Sequence, residues 1–416
     1  MARAETSRAW VDEHVASLVD LYRHFHTHPE LSFQEEQTGE RLASELEDAS
    51  VEVTKHVGGF GVVGLLRNGD GPTVMLRTDL DALPVVEQTN LVYASTVKVK
   101  ETDGTEVGVM HACGHDVHIT NLVGVARYLA ANKDRWQGTV MFIGQPAEER
   151  GSGATAMLKD GLFERFPKPD FAVAMHVDSG LATGKVGYRA GYALANVDSV
   201  DVTMHGRGGH GAYPHTTIDP IVQAAEFVVS VQTIVSREVK PIEPAVITVG
   251  SIHGGTKHNI IGNSCHMQLT VRSYDDGVRK LLLDGITRKA KAVAMGANAP
   301  EPTIAISEGT PALWNDEALA ARLDPVLRQV VGDENVVSAE QSMGGEDFSQ
   351  YGRAGVPILM IRLGAVDGQR LKRYAELGQD PPSLHSPLFY PDVEDALKTG
   401  VPAMSEAVIE LLKPTN

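Results

Sequence analysis

The chain has 416 residues, of which 42% are hydrophobic and 22% are charged, and this composition is typical of a folded globular protein with two domains. Its formal net charge of −17 argues against nucleic acid or an anionic membrane as a partner, because polyanions bind to basic surfaces. No stretch approaches the roughly 18 consecutive apolar residues of a membrane-spanning helix.

The cysteines and the first residues indicate the compartment. Only two cysteines occur, Cys113 and Cys265, and their wide separation argues against a disulfide framework. Residues 1–20 carry acidic side chains and lack the apolar run of a signal peptide. We therefore expect a protein of the cytoplasm.

The first part of the chain alternates between helical and strand-like patterns. Apolar residues at helical spacing predict helices at 7–27, 35–49 and 115–132. Short apolar runs predict strands at 60–67, 73–79, 138–146 and 171–177. Apolar strands that alternate with helices are typical of a mostly parallel sheet covered by helices, so the sequence predicts an α/β fold.

The pattern changes near residue 190. Segment 196–206 alternates apolar and polar residues, as a half-buried antiparallel strand does. The following helices and strands are predicted at 219–238, 245–255, 265–274 and 276–296. Their order predicts an inserted α+β domain of ferredoxin-like type at 191–305. A strand at 356–364 and a helix at 392–412 then return the chain to the first domain, which comprises 1–190 and 306–416.

Polar side chains follow several predicted strands at the point where each strand ends. In an open α/β sheet, ligands bind beyond the carboxyl ends of the strands, so these side chains are expected to converge. A late loop, "SLHSPLF", adds His385. The residues at the strand ends and in the loop before helix 115–132 are Asp79, Asp81, Cys113, His115, Glu148, Glu149 and His176.

Thiol, imidazole and carboxylate groups together favour a borderline divalent metal, with zinc first and manganese or cobalt as alternatives. Cys113 and His115 lie on one short loop beside Gly114, which permits a tight backbone. The consecutive Glu148 and Glu149 point in different directions. One carboxylate can therefore bind metal while the other transfers protons.

Other motifs are weaker. "GFGVVG" (59–64) satisfies G-x-G-x-x-G but leads into a strand, which argues against a nucleotide site. His24 and His28 lie four residues apart and share a helix face, so a second metal site at these two residues is a weaker alternative. No G-x-S-x-G elbow occurs, and "HDVH" lacks the spacing of a zincin, so His118 is expected to pack or to support the site.

Nine blocks of sequence occur in an order that resembles a known family. They resemble the M20 metallopeptidases, specifically the aminoacylase, hippurate hydrolase and auxin-conjugate amidohydrolase branch, from about residue 20 to residue 410. The blocks are "HTHPELSFQE", "RTDLDALPV", "MHACGHDVH", "GQPAEE", "AMHV", "GRGGHGAYPH", "KHNIIG", "GGEDFSQY" and "LHSPLF".

The resemblance implies a site for two metal ions. Cys113 would bridge both ions, and the metals would keep its thiolate deprotonated. His115 and His176 would complete the site of one metal, and Glu149 and His385 that of the other.

The resemblance also implies the residues around the metals. Glu148 would be the general base and acid, and Asp79 would fix a ligand imidazole. His111 receives no role and is expected to be structural. The "GGEDF" block at 344–348 is assigned to the catalytic domain, where it would shape the site.

The insert would be the lid and dimerisation domain of the family. His210 would reach the active site of the facing subunit and polarise the scissile carbonyl oxygen. Asn259 and Arg272 match positions associated with substrate contacts, and the guanidinium of Arg272 suits a substrate carboxylate. For Arg272, a surface salt bridge stays open as the alternative.

The sequence thus predicts a dinuclear metal-dependent amidohydrolase that cleaves N-acyl amino acids, as a homodimer or higher homo-oligomer. Acetyl, benzoyl or aryl-acyl conjugates are the expected substrates. A dipeptidase or carboxypeptidase on the same scaffold is an alternative. A third is a small-molecule binding protein without activity, although such a protein has no need of a proton-transferring Glu148.

Overall fold

The computed structural model describes residues 2–100 and 104–413. The strands of this part are β1 (Glu52–Val57), β2 (Gly61–Asn68), β3 (Thr73–Asp79), β4 (Lys98–Lys100), β5 (Glu106–Gly108), β6 (Gly138–Gln145), β7 (Phe171–Ala182), β8 (Val186–Tyr188), β9 (Gly191–Leu194), β10 (Asn196–His205), β11 (Gly209–His210), β12 (Ala245–Gly254), β13 (Ile260–Ile261), β14 (Ser264–Ser273), β15 (Thr303–Glu308), β16 (Leu313–Asn315), β17 (Val336–Ser338) and β18 (Ile358–Val366).

The α-helices of the same part of the chain are α1 (Ala2–Thr27), α2 (Glu36–Asp48), α3 (His115–Ala131), α4 (Gly153–Lys159), α5 (Leu162–Arg165), α6 (Pro220–Arg237), α7 (Asp276–Gly296), α8 (Glu317–Val331), α9 (Ser349–Arg353), α10 (Gly368–Glu376) and α11 (Val393–Leu411). Within residues 2–100 and 104–413, no helix combines the length and the apolar composition that crossing a bilayer requires.

The chain divides into two compact units. The first comprises Met1–Ala193, Trp314–Glu340 and Asp347–Asn416, and the second comprises Leu194–Leu313 and Gln341–Glu346. The "GGEDF" block, which the sequence assigns to the catalytic domain, is therefore divided. Its residues 344–346 belong to the second unit, and the block returns to the first unit at Asp347.

The first unit is built on an eight-stranded sheet in the order β1-β2-β6-β3-β7-β18-β8-β17. Strands β6, β3, β7 and β18 run parallel at its centre. Strands β3 and β6 are buried along nearly their whole length, as strands covered on both faces are. The predicted α/β fold with a mostly parallel, helix-covered sheet is confirmed.

The register of the parallel strands brings their carboxyl ends to one edge of the sheet. Asp79, the last residue of β3, lies opposite Gln145, the last residue of β6. His176 of β7 lies opposite Arg362 of β18. Helices α1, α3 and α11 pack on one another and on the sheet, and their apolar side chains form its core. A rigid sheet edge therefore carries the polar residues that the sequence singles out.

The second unit contains a four-stranded antiparallel sheet in the order β12-β14-β10-β15, with helices α6 and α7. Every second residue of β10 is buried, from Asn196 to Met204, as the period-two pattern predicts. The buried residues pack against α6 and α7. The chain order of these elements is β-α-β-β-α-β, so the predicted α+β architecture of the insert is confirmed.

Candidate metal centre

The loop that carries Cys113 turns sharply before α3. Gly114, the residue before the helix, has φ of 78°, in the left-handed region that favours glycine. A Cβ atom at Gly114 would lie 2.6 Å from Val177 Cγ2, so a larger residue does not fit there. The glycine thus lets the loop approach β7 closely, and Cys113 Sγ lies 3.6 Å from His176 Nε2.

The structure brings the five sequence-predicted metal ligands together in two groups that share one sulfur. In one group, ligand atoms of Cys113, His115 and His176 lie within 4.8 Å of one another. In the other, ligand atoms of Cys113, Glu149 and His385 lie within the same distance. Two cations with Cys113 between them would fit this arrangement, although the role of each residue as a ligand stays a prediction.

The environment of His115 leaves one ring nitrogen for a cation. Its Nδ1 donates a hydrogen bond of 2.8 Å to the backbone carbonyl oxygen of Asp81, which places the proton on Nδ1. Its Nε2 is buried without a hydrogen-bond partner. Glu149 Oε1 is also buried without such a partner and lies 3.9 Å from His115 Nε2. Buried polar atoms need a partner, so these two atoms fit a site that holds a cation.

His176 is oriented in the same way. Its Nδ1 lies 2.8 Å from the carbonyl oxygen of Val177, to which it donates, and its Nε2 faces Cys113. A backbone acceptor thus fixes the proton on the far nitrogen of both predicted histidine ligands, His115 and His176. Metal-binding histidines typically have such a partner.

His385 is held by its backbone. It has φ of 68°, which is uncommon for a residue other than glycine, and its N–H donates to the carbonyl oxygen of Ala112 at 2.9 Å. Its Nε2 lies 3.5 Å from Glu149 Oε1. The imidazole is half exposed, with 55% of its side-chain surface accessible, so it forms the open side of the centre.

The acidic groups of the centre are costly to bury without a cation. Burial raises the pKa of Glu149 to about 7, although the nearby His115 opposes this shift. Burial and the Glu149 carboxylate raise the pKa of the Cys113 thiol well above its ordinary value. A bound cation reverses this balance, since it favours the carboxylate and the thiolate. The donor set therefore fits a divalent metal of borderline type.

Asp79 is fully buried next to the predicted ligands. One carboxylate oxygen accepts from His118 Nδ1 and the other from Arg77 Nη1, both at 2.7 Å. His118 Nε2 in turn accepts from the N–H of Val177 at 2.9 Å. Both ring nitrogens of His118 are thus occupied by protein groups, so His118 supports the site.

Glu148 follows a turn in which Ala147 has φ of 51°. Its side chain is about 10% exposed, and its Oε2 lies 3.9 Å from His115 Nε2. Both carboxylates thus lie 3.9 Å from His115 Nε2, and Glu149 Oε1 also lies 3.5 Å from His385 Nε2. The sequence analysis includes Asp81 among the converging residues but does not predict that it supports the site. The carboxylate of Asp81 accepts from the N–H of Glu148 and of Glu149.

The other sequence-predicted residues lie in the second unit. His210 is exposed and belongs to the two-stranded β11–β13 ribbon, where Gly211 N–H donates to the Asn259 carbonyl oxygen at 2.9 Å. Arg272 Nη1 donates to the carbonyl oxygen of Met343 at 2.7 Å. No carboxylate in the described part of the chain pairs with Arg272. The structure therefore does not show the surface salt bridge that the sequence left open for this residue.

Three further histidines are His24 and His28, at the end of α1, and His111, just before Cys113. The rings of His24 and His28 stack with centroids 4.6 Å apart, and His28 Nδ1 donates to the His24 carbonyl oxygen. His111 is buried with neither ring nitrogen hydrogen-bonded within the described residues. Segment 59–64 leads into β2, so the glycine motif opens no helix.

The sequence profile of peptidase family M20/M25/M40 matches residues 75–376. The chain therefore belongs to this family, and it is a hydrolase of amide bonds.

Individual relatives are similar over most of the chain. An N-acetyl-L-cysteine deacetylase from Bacillus subtilis (strain 168) is 35% identical, over 80% of this chain and 77% of the relative. Thermostable carboxypeptidase 2 from Saccharolobus solfataricus is also 35% identical, over 95% and 94%. A crystal structure of a dinuclear metal-binding M20 peptidase from Bacillus subtilis has a TM-score of 0.77 and 28% identity, covering 96% of this chain and 99% of that one.

Proposed function

We propose that the protein is a dinuclear metal-dependent amidohydrolase that cleaves the amide bond of N-acyl amino acids, giving a carboxylic acid and a free amino acid. The observation that carries this proposal is the pair of ligand groups that share Cys113. The similarity to an N-acetyl-L-cysteine deacetylase supports an acyl amino acid as substrate, and the similarity to a dinuclear peptidase supports two cations.

Cys113, His115 and His176 would hold one cation, and Cys113, Glu149 and His385 the other. Zinc fits this donor set, and manganese and cobalt are also compatible with it. When bound, such cations supply positive charge that polarises the amide carbonyl and lowers the pKa of the attacking water.

Glu148 is the proposed proton carrier. Its carboxylate lies beside His115, and its neighbour Glu149 is turned toward His385. Glu148 would accept a proton from the attacking water and then donate that proton to the nitrogen of the departing amine. Proton transfer of this kind contributes about 10²- to 10⁴-fold to the rate.

The second unit would complete the site in a homodimer or higher homo-oligomer. His210, which is exposed, would act on the carbonyl oxygen of a substrate bound by the facing subunit. Asn259 and Arg272 would contact the substrate, and the guanidinium of Arg272 would bind its carboxylate. In this chain Arg272 already donates to the Met343 carbonyl oxygen, so its remaining N–H groups would serve the substrate.

A second candidate is a carboxypeptidase or dipeptidase, which the similarity to thermostable carboxypeptidase 2 supports. A panel of acetylated, benzoylated and aryl-acylated amino acids together with dipeptides separates the two. We expect protein reconstituted with zinc, manganese or cobalt to cleave acyl amino acids with a kcat/KM at least tenfold above that for dipeptides. The opposite order would favour the peptidase. Binding of acyl amino acids without turnover would indicate a binding protein.

A further inference from the structure

Asp81 lies between β3 and the loop that carries Cys113, and it contacts three residues of the centre. Its carboxylate accepts from the N–H of Glu148 through Oδ1 at 3.2 Å and from the N–H of Glu149 through Oδ2 at 3.0 Å. Its backbone carbonyl oxygen accepts from His115 Nδ1 at 2.8 Å. One residue thus contacts the proposed proton carrier and a predicted ligand of each cation.

Asp81 is itself held firmly. The residue is only 1% exposed, and Ser32 Oγ donates to its Oδ2 at 2.6 Å. The flanking residues are fixed by backbone hydrogen bonds, from Leu80 N–H to the Gln145 carbonyl oxygen and from Ala82 N–H to that of Glu30. The carboxylate therefore cannot swing away from the glutamates without breaking the contacts at the end of the sheet.

We propose that Asp81 is a positioning residue that fixes the two glutamates through their backbone. A single carboxylate that accepts from two successive N–H groups fixes the orientation of both peptide planes. The directions of the Cα–Cβ bonds of Glu148 and Glu149 are thereby fixed as well. This role rests on the proposed function for its catalytic consequence. Its structural consequence, the placement of Glu149 beside His385, can be measured through cation binding alone.

The carboxylate of Asp81 makes both contacts with the glutamates, whereas His115 Nδ1 lies 2.8 Å from the Asp81 carbonyl oxygen and 3.5 Å from Oδ1, and this difference gives the test. Replacing Asp81 with Asn keeps the carbonyl oxygen that accepts from His115. It removes one of the two carboxylate acceptors and places an amide N–H₂ against a backbone N–H. The substitution should therefore disturb Glu149 more than His115, because His115 keeps its contact of 2.8 Å with the backbone carbonyl oxygen. The effect should fall mainly on one cation site.

The experiment is a titration of metal-free protein with zinc, read by competition with a chelating dye, followed by steady-state kinetics of the loaded enzyme. In Asp81→Asn we expect one equivalent to bind as in the wild type and the other to bind at least about tenfold more weakly. The kcat should fall by about tenfold or more while KM changes by less than about twofold. Equal wild-type affinity for both equivalents, or equal weakening of both, would overturn the proposal.

Glu406→Gln is the matched control. Glu406 is also a buried acid of the first unit and is 5% exposed. Its carboxylate lies 2.9 Å from Arg135 Nη2, and neither residue belongs to the predicted metal ligands. Its change to an amide should lower stability without altering either zinc affinity. A selective loss of one zinc equivalent in this control would contradict a specific role for Asp81.

If Asp81→Asn does not fold, Ser32→Ala decides the question. This change removes only the hydroxyl that donates to Asp81 Oδ2, and we expect it to weaken the same zinc equivalent by about threefold, the size of one modest hydrogen bond. No change would overturn the proposal. A wild-type protein that binds two zinc ions but cleaves no acyl amino acid would refute the proposed function and leave the zinc test of Asp81 intact.

Discussion

The two consecutive glutamates of the centre share one short turn, and both lie 3.9 Å from His115 Nε2. Ala147 adopts a left-handed conformation, and the carboxylate of Asp81 accepts the next two N–H groups. Glu149 Oε1 then lies 3.5 Å from His385 Nε2, while Glu148 stays beside His115. The contact with His385 supports the proposal that Glu149 binds a cation and Glu148 carries a proton.

Replacing Glu148 with Gln tests that proposal. The amide keeps the size of the side chain but cannot accept a proton, so we expect both zinc equivalents to bind while kcat falls by roughly 10²- to 10⁴-fold. Glu149→Gln is the comparison, since it should instead weaken one zinc equivalent. Metal content by mass spectrometry and steady-state kinetics measure the two effects. Near-normal turnover in Glu148→Gln would contradict the assigned role.

At the scale of elements, a buried network of ion pairs joins α1 and α3. His26 of α1 lies 2.7 Å from the carboxylate of Asp116 in α3 and 3.2 Å from Glu87 in the segment between β3 and β4. Burial opposes the charged imidazole, but the two carboxylates outweigh burial and raise the pKa of His26 to about 9. The imidazolium therefore links three segments that surround the centre.

This network makes stability depend on pH. The folded-state pKa of about 9 exceeds the ordinary value of 6.5, so the contribution of His26 is complete below pH 6.5 and is lost as pH rises through 9. Relative to His26→Gln, the wild type should be more stable by roughly 3 kcal/mol at pH 6, and this difference should shrink toward pH 9.5.

Urea unfolding of metal-free protein, followed by tryptophan fluorescence, measures this difference, because Trp10, Trp136 and Trp314 all belong to the first unit. The exposed His56, changed to Gln, is the control and should show no such trend. A stability difference for His26→Gln that does not vary with pH would argue against a charged imidazole.

The elements that the sequence predicts well are those whose apolar pattern reflects burial. Helix α3 and strands β3 and β6 agree with their predicted ranges to within a residue. Strand β1, "EVTKHV", was not predicted, because it is a largely exposed edge strand with few apolar residues. Helix α8 was also missed, and it contains Pro325, which interrupts a helical pattern.

For the site, strand ends were sufficient to predict that Asp79, Glu149 and His176 converge, since parallel strands present their carboxyl ends at one edge. The pairing of His385 with Glu149 came only from the family resemblance, because a loop has no periodicity that reveals its position. The role proposed for Asp81 could not be predicted from sequence, since its carboxylate accepts from backbone N–H groups that residues of almost any type at positions 148 and 149 would supply.

At the scale of the whole molecule, we infer that distant parts of the first unit gather around two cations with one sulfur between them. The two ligand groups meet at Cys113, and the sheet edge, α3 and the late loop each supply members. Without cations, burial raises the pKa of both Glu149 and Cys113, so positive charge at the centre would favour the carboxylate and the thiolate.

Anomalous diffraction from crystals of zinc-loaded protein would locate the two cations. We expect two peaks of comparable height, each about 2.3 Å from the sulfur of Cys113, one beside His115 and His176 and the other beside Glu149 and His385. A single peak, or two peaks of which one does not contact the sulfur, would contradict the shared-thiolate centre.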